Sequence, residues 1–192
     1  MRRRSVLLSV ASGALTGALT LGRPHGVAAR QETASLADHP LTGDWMAMAN
    51  RRPSPGSPQV PVPSHYGADG SVLLVFPPTQ VGMQGVEFVS PHVGTWEADG
   101  ERRGHFTTVQ PLSDANGAFL GTVTVDGYPE VSADGQTFVD DGSKVMITIR
   151  DATGAIVQQM PGAGGPPVTG IRMAPGVPGF PLGTPATSTP AA

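Results

Sequence analysis

Seven tight-turn dipeptides divide most of this chain into short segments, and this feature limits the possible fold more than any other. They are Asp69-Gly70, Asp99-Gly100, Asn116-Gly117, Asp126-Gly127, Asp134-Gly135, Asp141-Gly142 and Thr153-Gly154. Asn-Gly and Asp-Gly supply the positive φ angles that tight β-hairpins require. The segments between these turns are therefore expected to be short antiparallel strands.

The composition of those segments agrees with this expectation, since they are rich in Val, Ile, Thr and aromatic residues. No window shows sustained helical periodicity. The sequence predicts an all-β fold, an antiparallel meander closed or nearly closed into a single barrel. The predicted strands are Thr42–Ala49, Ser71–Phe76, Val86–Val89, Val93–Ala98, His105–Leu112, Phe119–Val125, Thr137–Val139, Lys144–Arg150, Ile156–Met160 and Val168–Met173.

The N-terminal segment has the parts of an export signal. Arg3 and Arg4 precede Ser5-Val6-Leu7, an uncharged stretch follows to Gly22, and Gly26-Val27-Ala28-Ala29 offers a small-residue cleavage site. The paired arginines resemble the twin-arginine export motif of bacteria. The apolar stretch is short for a bilayer span of roughly 20 residues. We expect a signal peptide over 1–29. The bacterial export machinery, of the twin-arginine or the general route, is the expected partner of this segment. The mature form is expected outside the membrane, either secreted or in the cell envelope or periplasm.

The remaining chain has three further regions. A mobile lead-in is expected over 30–40, the barrel over 41–175, and a disordered Pro-rich tail over 176–192. Five prolines lie in 51–64, RRPSPGSPQVPVPS. Because proline removes a backbone donor, this segment is predicted to be a surface loop and not a strand.

The composition after residue 29 excludes several classes of function. Eight basic and fifteen acidic residues give these 163 residues a net charge of −7, and Lys144 is their single lysine. An acidic chain of this kind has no electrostatic surface for nucleic acid. Cysteine is absent, which excludes disulfides and thiolate chemistry.

The predicted hairpin between the strands at 93–98 and 105–112 places aromatic side chains on one face. A three-residue loop at Asp99-Gly100-Glu101 would set Trp96 opposite Gly104 and Glu97 opposite Arg103. His92, Trp96 and Phe106 then share the inner face with His105 pointing outward. These three residues and Phe119, from the next strand, are the four predicted ligand-binding residues.

Gly43-Asp44-Trp45 lies on the first predicted strand, and Arg172 lies on the last. A Gly-x-Trp on the first strand resembles the opening signature of the lipocalins and the wider calycin group. The resemblance implies that Arg172 stacks over Trp45 and closes one end of a barrel that binds a small apolar molecule. An allene-oxide-cyclase-like or dirigent-like barrel, and another β fold, remain alternatives.

Motifs for catalysis or metal binding are weak. Gly-x-Ser-x-Gly is absent, and no two histidines stand at metal-ligand spacing on one element. The acidic pairs, including Asp140-Asp141, are interpreted as turn residues. No catalytic residue, metal or cofactor is predicted.

The sequence therefore favours a secreted, non-catalytic barrel that binds a small apolar ligand. One alternative is a cyclase or isomerase that uses His92, Glu87 and Tyr128. The other is an interaction module of the cell envelope.

Overall fold

A computed structural model describes residues 35–51, 58–82 and 85–180. Apart from a short 3₁₀ turn at Leu36–Asp38, the regular structure in these ranges is β-strand, which confirms the predicted all-β class. The thirteen strands of the described residues are β1 Gly43–Asn50, β2 Gln59–Tyr66, β3 Ser71–Leu74, β4 Thr79–Gly82, β5 Gly85–Val89, β6 His92–Ala98, β7 Gly104–Ser113, β8 Phe119–Gly127, β9 Glu130–Val131, β10 Thr137–Asp140, β11 Met146–Asp151, β12 Ile156–Pro161 and β13 Val168–Arg172.

The strands form one antiparallel sheet that curls into a half-barrel. Its order is β12-β11-β8-β7-β6-β3-β2-β1-β13-β10-β9, and the β4–β5 hairpin attaches to β7 through β5. An isolated bridge between Arg103 and Glu130 continues the β7–β8 ladder as far as β9. One edge of β8 pairs with β11, whereas the neighbouring β9 pairs with β10. The sheet therefore closes on itself near β9 and opens where the β11–β12 hairpin turns away.

The end closed by β9 is filled with aromatic side chains. The indole N–H of Trp45 donates to the Leu41 carbonyl at 2.8 Å, and that of Trp96 donates to the Gly67 carbonyl at 2.8 Å. Trp45 meets Phe138 edge to face at 5.2 Å between ring centroids. Buried aromatic rings contribute most when packed edge to face and hydrogen-bonded in this way. This end of the half-barrel is therefore filled by a packed aromatic core.

Each of the ten predicted strands is present, but the Pro-rich prediction was wrong for its second half. Residues 59–66 form β2, which lies between β1 and β3 inside the sheet. The Val75 N–H donates to the Pro63 carbonyl at 2.9 Å, so Pro63 directs its backbone polar side toward β3. The β3 ladder begins only at Ser64. Pro61 and Pro63 therefore lack a donor on an edge where the ladder does not need one.

The predicted register of the β6–β7 hairpin was also wrong, by two residues. Trp96 pairs with Phe106 and Glu97 with His105, so the predicted pair of Glu97 with Arg103 does not form. Arg103 instead donates to Asp99 at 2.7 Å. A five-residue connection replaces the expected three-residue loop. Because the error is an even number of residues, each side chain keeps its predicted face.

The folded region is wider than the predicted 41–175. The segment from Leu36 to Pro40, expected to be mobile, packs on the domain: the His39 ring lies 5.3 Å from that of Trp96, and the Pro40 carbonyl accepts from Arg172. At the other end Gly179 is buried, with Met46 beside it. The predicted signal, including Arg3 and Arg4, and residues 181–192 lie outside the described residues.

Candidate functional site

A cavity of about 460 Å³ opens above the aromatic core, inside the curl of the sheet. Its volume lies within the usual range of small-molecule sites, about 300–1,000 Å³. Its wall is mainly apolar because inward-facing residues of both halves of the sheet alternate with outward-facing ones. Representative wall residues are Val62, Leu74, Val125, Ile147, Met160 and Val168.

A group of polar side chains lies on the wall formed by β5, β6 and β7. His92 is only 4% exposed, and its Nδ1 shares a hydrogen bond of 3.3 Å with the Thr108 hydroxyl. The Gln110 amide donates to the Ser90 carbonyl at 2.8 Å. These hydrogen bonds hold the polar groups against the strands, and the Phe76 ring covers His92 at 5.4 Å. His92 therefore lies on the cavity wall as a fixed, neutral ring.

The protonation of His92 follows from its burial. Desolvation lowers the pKa of His92 to about 4, and a hydrogen bond with Gln110 opposes that shift only in part. An imidazole with this pKa accepts a proton poorly at neutral pH. The residue can donate or accept a hydrogen bond to a ligand, but it is a weak general base.

A second polar pair, Tyr66 and Asp140, lies at the floor of the cavity beside the aromatic core. Tyr66 is 2% exposed, and its ring packs against Trp96 at 5.9 Å and Phe106 at 6.0 Å. Asp140 accepts the Tyr128 N–H at 2.7 Å and the Gly142 N–H at 3.0 Å. Burial raises the pKa of Tyr66, and the neighbouring Asp140 carboxylate adds to that rise. Burial also raises the pKa of Asp140, against the effect of its two backbone donors.

A third pair sits on β4 and β5. The Gln80 amide donates to the Glu87 carboxylate at 3.1 Å, and both side chains line the cavity. Nearby, Arg51 donates to the carbonyls of Pro77, at 3.0 Å, and Thr79. The Arg51 guanidinium is therefore committed to backbone carbonyls.

Asn50 supplies the buried side-chain atom that lacks a partner in the described ranges. Its amide nitrogen donates to the Pro166 carbonyl at 3.0 Å, while its Oδ1 has no hydrogen-bond partner there. Asn50 lines the same cavity. A buried acceptor without a donor costs about 1–3 kcal/mol, which a ligand or water in the cavity would recover.

The structure separates the four predicted ligand-binding residues. His92 and Phe106 line the cavity, and Trp96 is buried beneath it in the aromatic core. Phe119 was predicted wrongly: it is 51% exposed at the start of β8. There it pairs with Ser113 after an irregularity in the β7–β8 ladder. The sequence pattern of β8 does not reveal this shift. The alternation that correctly places Val123 and Val125 on the cavity wall was therefore wrongly extended to Phe119.

The signature residues meet as the resemblance implied. The Arg172 guanidinium lies 4.1 Å from the centroid of the Trp45 ring, and the two residues pair across β1 and β13. Gly43 begins β1 with a φ of 128°, and a side chain there would meet the Arg172 guanidinium. These contacts close the core end and do not line the cavity.

The other chemical candidates divide between the inside and the outside. Glu87 faces the cavity, whereas Tyr128 stacks on His105 outside it, with ring centroids 4.6 Å apart. His105 is half-buried and bonds to Glu97 at 3.2 Å. No group of three or more His, Asp or Glu residues suited to a metal occurs within the described ranges. None of the helical structure in those ranges is long and apolar enough to cross a membrane.

Sequence reasoning missed Tyr66, Asp140 and Asn50. Tyr66 is the last residue of β2, a strand that was not predicted because its sequence contains prolines. Asp140 was interpreted only as a turn residue. It does accept the Gly142 N–H in the turn, but it also ends β10 and lines the cavity. The alternation of Phe138 with Asp140 was the one available signal, because it places both on the same face.

No known protein family, no curated protein and no solved structure matches this chain.

Proposed function

We propose that this protein binds a small, mainly apolar molecule inside its half-barrel and does so without catalysis. The observation that carries the proposal is the cavity of about 460 Å³, which has an apolar wall and a few fixed polar groups. A folded chain gains stability by filling its interior. A sheet that closes over aromatic core at one end and leaves this space at the other is therefore suited to hold a ligand.

Binding is favoured over catalysis by the state of the polar groups. His92 is a weak base at neutral pH because of its lowered pKa. Tyr128, the third member of the predicted catalytic set, lies outside the cavity on His105. The remaining member, Glu87, is held by Gln80. These three residues do not converge on one point in the cavity, as acid–base chemistry requires.

The proposal includes export. Arg3 and Arg4 with the uncharged stretch after them have the pattern of a bacterial export signal. A ligand-binding barrel outside the cytoplasm would act as a carrier or scavenger of an apolar molecule that water alone dissolves poorly. The polar wall groups would orient that molecule, while the apolar wall would supply most of its binding free energy.

A fluorescence titration tests this proposal. N-phenyl-1-naphthylamine is an apolar dye whose emission rises when it leaves water. The wild-type protein should bind it saturably with one-to-one stoichiometry. Val123→Phe, on the cavity wall, should weaken binding at least tenfold because the ring occupies the ligand's space. Val109→Phe is the matched control, since Val109 is partly exposed on the neighbouring strand.

Equal binding by both variants would show that the dye does not enter the cavity, and the proposal would fail. An absence of saturable binding by the wild type would have the same meaning.

A further inference from the structure

The Tyr66 hydroxyl belongs to a side chain that lines the cavity, and it forms no hydrogen bond within the described part of the chain. Tyr66 is 2% exposed and lines the cavity. The ring is fixed by Trp96 and Phe106. This fixed hydroxyl at the cavity floor is therefore available to donate a hydrogen bond to a ligand.

Asp140 complements Tyr66 across the same floor. Two backbone N–H groups hold its carboxylate, one from Tyr128 and one from Gly142. A carboxylate has about four lone-pair directions, so acceptor capacity remains after these two bonds. Asp140 also lines the cavity. The floor offers one free donor and one charged acceptor.

From this arrangement we propose that the ligand carries a hydroxyl group, which binds between Tyr66 and Asp140 at the cavity floor. This inference rests on the proposed function and specifies its ligand class: an apolar alcohol. The ligand's hydroxyl oxygen accepts a hydrogen bond from the Tyr66 hydroxyl, and its O–H donates a hydrogen bond to the Asp140 carboxylate. Both polar groups of the floor are then satisfied at once.

Other head groups fit the floor less well. A carboxylate would bring a second negative charge next to Asp140 in a poorly solvated site, where like charges repel strongly. An ammonium group would pair with Asp140, but it has no lone pair for the Tyr66 proton. An ether oxygen accepts a hydrogen bond from Tyr66, but it has no hydrogen to donate to Asp140. The alcohol is the one head group of these four that meets both requirements.

Calorimetric titration with three linear alkyl compounds tests this inference on the exported form of the protein. The compounds are 1-decanol, decyl methyl ether and sodium decanoate. The wild type should bind 1-decanol about tenfold more tightly than the ether, as one hydrogen bond to a charged group provides. Decanoate should bind more weakly than either.

Two variants assign the effect to the floor. Tyr66→Phe should weaken the binding of both the alcohol and the ether about five- to tenfold, because both lose the same donor. Asp140→Asn should reduce the tenfold gap between alcohol and ether and should strengthen the binding of decanoate, because the buried negative charge is gone. Tyr128→Phe and Asp141→Asn are matched controls outside the cavity and should behave as the wild type.

The outcomes separate this inference from the proposed function. If the wild type binds none of the three compounds, the proposed function fails and the inference fails with it. If the wild type binds all three with equal affinity, or prefers decanoate, the cavity binds ligands but the head-group inference is overturned. Since this comparison uses only the wild type, poor folding of a variant does not affect it.

Discussion

Arg172 lies over the ring of Trp45, with its guanidinium carbon 4.1 Å from the ring centroid. The same guanidinium donates to the Gly135 carbonyl at 2.7 Å and to the Thr42 carbonyl at 3.0 Å. One side chain therefore links the last strand, a hairpin turn and the residues before β1. This junction holds the closed end of the half-barrel, on which the cavity rests.

Substitutions at this junction should be strongly coupled. Trp45→Ala removes a fully buried ring and should lower the free energy of unfolding by about 3–5 kcal/mol. Arg172→Ala should cost about 2 kcal/mol, because it removes the stacking and leaves partly buried carbonyls without these donors. In chemical denaturation the double variant should lose less than the sum of the two.

Arg172→Lys is the control for charge alone. Lysine keeps the positive charge but lacks the planar fork that reaches several carbonyls, so it should recover only part of the stability. Strictly additive losses in the double variant would mean that the contact between Trp45 and Arg172 contributes nothing.

Acidification should destabilise the protein through His92. The folded-state pKa of His92, about 4, lies below the ordinary histidine value of 6.5. The unfolded chain therefore binds the proton first as the pH falls, so His92's contribution is fully present above about pH 6.5 and is lost toward about pH 4. Between about pH 7 and about pH 4.5 the loss should approach 2.5 kcal/mol.

His92→Gln should remove this part of the pH dependence, and His105→Gln, at a half-buried histidine on the outer face, is the control. Asp140, whose pKa burial raises, acts in the opposite direction but equally in all three proteins. The difference between them in denaturation midpoints therefore isolates His92. An unchanged slope in His92→Gln would show that the ring is protonated as readily in the folded state as in water.

Gly127 should be intolerant of a side chain because the Phe106 ring occupies the space beside it. A Cβ at Gly127 would lie 2.3 Å from the ring of Phe106. Gly127→Ala should therefore lower the unfolding free energy by about 1–3 kcal/mol. Adding Phe106→Leu to Gly127→Ala should recover part of the loss, because the smaller side chain can move away. Thermal unfolding of the single and double variants measures both effects. If the double variant is no more stable than Gly127→Ala, the loss of stability arises from the backbone and not from the contact with Phe106.

Most of the strands followed from the sequence because their signals are local. Turn dipeptides and β-branched runs depend only on neighbouring residues, and all ten strands predicted from them are present. β2 was missed because the effect of a proline depends on which of its edges is paired. For Pro61 and Pro63 the edge is set by where β3 ends, which is a property of the whole sheet.

The candidate site was only partly predictable for the same reason. His92 and Phe106 followed from alternation along one hairpin, which survived a register error of two residues. Phe119 failed because an irregularity at Leu112 and Ser113 shifts its strand. Tyr66 and Asp140 come from strands far apart in the sequence, and only the curl of the sheet brings them to one cavity floor.

The export proposal has its own genetic test. Replacement of Arg3 and Arg4 by lysine should block export if the twin-arginine route is used, because that route recognises the arginine pair. Replacement of Arg51, outside the signal, is the control. Immunoblots of cell and culture fractions give the readout. Normal export of the double-lysine protein would remove the twin-arginine route and leave the general one.

The most direct test of the central claim is where an added alcohol contacts the protein. Methyl NMR spectra of the exported form of the protein, recorded during a titration with 1-decanol, report this contact residue by residue. We expect saturable shifts of the Ile147, Ile149 and Met160 methyl signals, which line the cavity, with Ile156 and Val157 on the exposed edge strand unchanged. Shifts confined to Ile156 and Val157, or no saturable shift at all, would contradict the account of the cavity as a ligand-binding site.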